Sequence, residues 1–60
     1  MTEKEMQIIL EGLTDEDLGQ HLSDLLYEVV KLTNQKEFGL LYEIKDQLEL
    51  AHNEWEYRNQ

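Results

Sequence analysis

This 60-residue chain has no cysteine and no proline, and glycine occurs only at positions 12, 19 and 39. The absence of cysteine excludes disulfides, thiolate metal sites and thiol catalysis. It also fits a reducing compartment, so a cytoplasmic location is expected. Helix formers dominate, and no proline interrupts them. Cations are scarce: five Lys plus Arg stand against fourteen Asp plus Glu, a formal net charge of −9. Direct binding to DNA or RNA needs cationic side chains to neutralise phosphates, so this balance argues against it. It argues equally against anionic membrane surfaces, while favouring solubility and steering toward a partner with a basic surface. No apolar run approaches the roughly 20 residues of a membrane span. The opening "MTEKEMQIILEG" lacks the basic n-region of a signal peptide, so none is expected.

Sixty residues form one small domain, 1–60. A chain of this length buries a modest share of its surface and is marginal alone. Such chains add disulfides, a metal or oligomerisation. With disulfides excluded, close helix association and self-association remain.

The clearest element begins at "LTDEDL". Thr14 can cap it, with Asp17 three residues later completing a box-like cap, and Leu13 and Leu18 can form a hydrophobic staple. Asp15, Glu16 and Asp17 occupy the first turn, where the helix dipole favours negative charge. Leu18, Leu22, Leu25, Val29 and Leu32 then recur on one face, predicting a helix over about 15–32. A second row lies beside it: Gly19, Ser23, Leu26 and Val30. Its small residues let another backbone approach, so this row is the expected self-association face. "KLTNQKEFG" reads as the break, with Asn34 and Glu37 as a candidate capping box and Lys31 favourably placed in the last turn before it. The next helix is expected over about 35–57, with Leu41, Ile44, Leu48, Ala51 and Trp55 as its core row, Leu40 alongside, and Trp55 as its anchor. The short connection makes the two helices antiparallel neighbours.

The first segment has two readings. Thr2 with Glu5 forms a capping box, Met6, Ile9, Leu10 and Leu13 share a helical face, and Gly12 ends the helix. Alternatively, Met6, Ile8 and Leu10 alternate as in a short strand. The order strand, helix, helix resembles the ribbon-helix-helix layout, in which paired strands read DNA. The outward residues would then be Gln7 and Ile9, flanked by Glu5 and Glu11, which suits DNA poorly. The cap and the four-residue face favour the helix.

Among candidate sites, Glu49-Leu-Ala-His52 matches half of a carboxylate di-metal pattern, with Glu28 as a possible third ligand. Helical rotation of about 100° per residue places His52 at the core edge and Glu49 outside it, whereas a bundle-core site needs both inward. No metal is expected. His21 and His52 are the only imidazoles, Ser23 does not share a face with His21, and no nucleophile elbow or phosphate loop occurs. No catalytic residue and no cofactor are expected, and the chain does not read as an enzyme.

The outer face of the last helix carries Tyr42, Asp46, Glu49, Leu50, Asn53 and Tyr57, with Glu43, Glu54 and Glu56 at its flanks. Tyrosines and a leucine among carboxylates suit a protein interface, because aromatic rings give large contact area with few torsions. Asp17, Asp24 and Glu28 form a further acidic stripe on the 15–32 helix. Rows of carboxylates can imitate a line of phosphates. The expectation is an all-α protein: an antiparallel helical hairpin with a short N-terminal helix, dimerising into a helical bundle. Its expected function is that of a small acidic protein-binding regulator or inhibitor, of a style that suits a bacterium or phage. The alternatives are a nucleic-acid mimic and a small structural subunit of a larger assembly, for example a viral particle.

Overall fold

The structure, a computed structural model, describes residues 2–60. Three α-helices follow one another, α1 (Glu3–Glu11), α2 (Asp15–Asn34) and α3 (Phe38–Arg58), and no strand occurs among the described residues. Residues 6–10 are therefore helical, and the ribbon layout does not arise. The cap decides between the two periodicities. The Thr2 hydroxyl accepts from the Glu5 backbone N–H at 3.2 Å and donates to the Glu5 carboxylate at 3.2 Å. Gly12 closes α1 in ordinary right-handed backbone, its N–H donating to the carbonyls of Ile8 and Ile9.

At the start of α2 the Thr14 hydroxyl accepts from the Asp17 N–H at 3.1 Å. Leu18 is fully buried and Leu13 packs against the same cluster, as a hydrophobic staple requires. The end of α2 differs from expectation. Asn34 is its last residue rather than a cap, and α3 starts at Phe38 with no side-chain cap on Glu37. The reversal is made by backbone instead. Lys36 takes a left-handed conformation, φ 59°. Its N–H donates to Thr33 O at 3.1 Å, and the Glu37 N–H donates to Leu32 O at 2.9 Å. This is a Schellman closure, which satisfies the last carbonyls of a helix and usually places glycine at the left-handed position. With the carbonyls of α2 filled this way, Asn34 stays inside the helix and cannot cap the next one.

Leu10 of α1, Leu18 and Leu25 of α2, and Ala51 of α3 form the buried cluster, with Met6, Leu13, Leu22, Ile44, Leu48 and Leu50 against it. Ala51 is fully buried, and its small side chain lets α2 and α3 approach closely there. Asp15 at the start of α2 lies beside Arg58 at the end of α3, while a three-residue connection joins their other ends. Three core expectations shift. Leu40, expected alongside the α3 core row, remains 47% exposed. Ile9 remains 48% exposed, because its neighbour Leu10 takes the inward direction about 100° away. Trp55 remains 36% exposed. Its ring lies over Gly19, where an added Cβ would sit 3.6 Å from Trp55 Cζ3. Trp55 therefore closes the margin of the α2–α3 seam rather than anchoring its centre. The nine-residue α1 lies on the Leu50 side of α3 and leaves the indole half-covered.

Three substitutions test this description by chemical denaturation followed through helical circular dichroism. Leu18→Ala should cost about 2–5 kcal/mol, a large share of what a domain of this size possesses. Lys36→Gly should stabilise by about 1 kcal/mol, because a left-handed non-glycine residue carries roughly that strain. Gly19→Ala should also stabilise by about 1 kcal/mol, since the added methyl meets Trp55 at ordinary contact distance and improves helix propensity. A destabilised Gly19→Ala protein would mean that the indole sits closer to α2 than described.

Candidate functional site

The most connected polar group is Arg58, in the last turn of α3. Its Nε donates to Glu54 Oε2 at 2.7 Å and its Nη1 to Asp15 Oδ1 at 3.0 Å. Its Nη2 donates to the backbone carbonyl of Leu10 at 2.9 Å and to that of Glu11 at 3.4 Å. One planar guanidinium thus ties α3 to the first turn of α2 and to the end of α1. The α1 carbonyls belong to the last turn, which lacks intrahelical partners and carries the negative end of the dipole. Glu54 is the buried charged residue of the core region, 6% exposed. Its second oxygen, Oε1, accepts from the Gln7 side-chain amide at 3.4 Å. No buried side-chain nitrogen or oxygen among the described residues lacks a hydrogen-bond partner.

The Arg58 pKa is raised above its ordinary value, first by the hydrogen bond to Glu54, with desolvation opposing and Asp15 adding to the rise. A raised folded value means that the contribution is fully present below the unfolded value. It is lost only as pH climbs through the folded one, beyond the neutral range. The guanidinium therefore stays charged wherever the protein works. Asp15 is largely exposed, so its share of the ion pairing is weak beside that of Glu54.

Sequence reasoning placed Glu54 among the outward carboxylates and gave Arg58 no role. The four-residue spacing of Glu54 and Arg58, acid first, is the local signal that could have joined them. Nothing local points to Gln7 or to the α1 carbonyls, which are more than 40 residues away.

On the outer side of α3, Tyr42 and Tyr57 are each 73% exposed, and Asp46, Glu49 and Asn53 are also exposed. Leu50 is half-buried, because α1 lies against this side and Leu50 packs on the core cluster. Thr2, the N-cap of α1, with Glu3 and Met6 meets Glu43, Asp46, Gln47, Glu49, Leu50 and Asn53 of α3 around an open depression. Carboxylates of Glu3, Glu43, Asp46 and Glu49 line it together with the apolar Met6 and Leu50. Tyr42 and Tyr57 stand about 22 Å apart along the helix and do not line this depression. Tyr57 borders a second, shallower one with Gln7, Glu11, Asn53 and Glu54. The contribution of α1 to this surface was not part of the expected face.

His52 Nε2 lies 3.2 Å from Glu56 Oε1 on the exposed side of α3, so its neighbour is Glu56 rather than Glu49. No group of three or more potential metal-ligating side chains occurs among the described residues. In the α2 row, Gly19 lies beneath Trp55, while Ser23, Leu26 and Val30 face outward. No described helix is long and apolar enough to cross a membrane.

Arg58→Lys keeps the charge but cannot reach Glu54, Asp15 and the α1 carbonyls at once. The melting temperature should fall, and amides of α1 should lose hydrogen-exchange protection before those of α2 and α3. Unaltered α1 protection would show that Leu10 burial alone holds that helix. Comparison of the chain with protein families, curated proteins and solved structures finds no match.

Proposed function

We propose that this chain is a small acidic regulator or inhibitor that acts by occupying the surface of another protein. The observation that carries this reading is the composition of the outer α3 face. Exposed Tyr42 and Tyr57 flank carboxylates at Asp46 and Glu49, beside an open depression with Met6 and Leu50 among its lining. Aromatic rings supply contact area, and the carboxylates select a basic counterpart. In this reading α2 and α3 form an antiparallel hairpin and α1 braces the acidic side. The hairpin pairs with a second copy into a bundle, and the protein works in the cytoplasm without a cofactor or chemistry of its own. It binds neither nucleic acid nor membrane directly.

The net charge of −9 favours a second reading, that of a nucleic-acid mimic which blocks a DNA- or RNA-binding protein. Salt separates the two, because interactions between exposed charges are screened and aromatic contacts are not.

The test captures partners from the native host on immobilised protein at low and high salt, using wild type and a Tyr42→Ser/Tyr57→Ser double variant. A protein that wild type retains at high salt and the variant loses supports the aromatic face. Equal capture by both forms would refute it. Capture that disappears steeply with salt, whatever stands at 42 and 57, selects the mimic.

A further inference from the structure

We propose that a second copy of this chain covers the outward row Ser23, Leu26 and Val30 of α2, beside Trp55. Both acidic α3 faces then stay outermost. This deepens the pairing assumed above by fixing its surface and its consequence for binding.

A folded chain of 7.2 kDa exposes about 4,100 Å² by the usual scaling of surface with mass. This chain exposes 4722 Å². The surplus, about 600 Å², approaches the roughly 800 Å² that each partner gives to a standard interface. Much of what would be covered is apolar, since Leu26 and Val30 are each more than half exposed.

At −9 per chain, two copies repel, and least so where the meeting faces carry no carboxylate. Beyond its first turn, α2 carries only two acids, Asp24 and Glu28. Both lie about 120–160° around the helix from Leu26 and Val30, on the far side of α2. From Ser23 to Val30 the row itself carries no acid, and Glu16, about 20° around the helix from Ser23, lies beyond its end in the first turn.

Two-fold pairing presents the same patch from both chains. An antiparallel meeting of two α2 helices centred near Leu26 sets Ser23 of each copy opposite Val30 of the other, small against large. The α1 helix does not obstruct this. It lies on the Leu50 and Glu54 side of α3, whereas Trp55 reaches Gly19 on the flank where the row runs.

The consequence is bivalence: the paired molecule carries two acidic faces pointing apart. A partner with two basic sites, or a partner that is itself a dimer, is then held by avidity beyond either single contact. This clause rests on the partner-binding reading; the pairing itself does not.

Sedimentation equilibrium from roughly 1 μM to 1 mM tests the pairing over the range where weak dimers dissociate. Wild type should rise from 7.2 kDa toward twice that mass. Leu26→Asp/Val30→Asp should stay at 7.2 kDa with unchanged helical circular dichroism, because both positions already face water. Isotope-filtered NOEs on an equal mixture of labelled and unlabelled wild type give the placement without any variant, and should connect Leu26 and Val30 methyls between chains. A wild type that remains monomeric throughout overturns the proposal, as does a dimer that survives the double substitution. Intermolecular NOEs confined to Tyr42 and Tyr57 overturn the assigned surface. Failure to capture a partner from the host bears only on bivalence and leaves these measurements unaffected.

Discussion

The arrangement of the three helices depends on one guanidinium. Arg58 reaches Glu54 on its own helix, the first turn of α2 through Asp15, and the backbone carbonyls of Leu10 and Glu11 at the end of α1. A buried carboxylate such as Glu54 is tolerable only because both of its oxygens are satisfied, one by Arg58 and one by Gln7. The hydrogen bonds of the cluster are directional, so they constrain geometry in a way that apolar burial does not. Apolar side chains of similar volume could fill the space. They would not specify which end of α1 meets α3, or at what register.

This division of labour suits the size of the chain. The apolar cluster is small, with Leu10, Leu18, Leu25 and Ala51 at its centre. Non-directional burial among so few residues discriminates poorly between alternative placements of a nine-residue helix. Directional hydrogen bonds supply the discrimination, and α1 in turn braces the acidic side of α3. The surface proposed to meet a partner is thus built in part by a helix held through both Leu10 burial and polar contacts.

What was legible in the sequence was what is local. The Thr2 and Thr14 caps, the leucine row of α2 and the Gly12 stop each lie within one or two turns, and they fixed three helical segments. The α2–α3 junction was misread because Asn34 and Glu37 satisfy a capping pattern that the chain does not use. A lysine at φ 59° leaves no compositional trace comparable to glycine. The outward direction of Tyr42, Asp46, Glu49 and Tyr57 follows from helical rotation, as does the burial of Ala51. The half-burial of Leu50 and the burial of Glu54 do not follow. They depend on α1 folding back across more than 40 residues of chain. Periodicity reports which way a side chain points, not what arrives to cover it.

The contact between Trp55 and Gly19 has a practical side. The chain holds a single tryptophan, and its indole straddles the seam of α2 and α3, away from the side that α1 occupies. Its emission therefore reports on one interface of the molecule and is blind to the other. Detachment of α1 alone would pass unseen in fluorescence while altering exchange protection, whereas parting of α2 from α3 would hydrate the ring and shift its emission to longer wavelength. The protein carries an intrinsic optical probe that separates the loss of its brace from the loss of its fold.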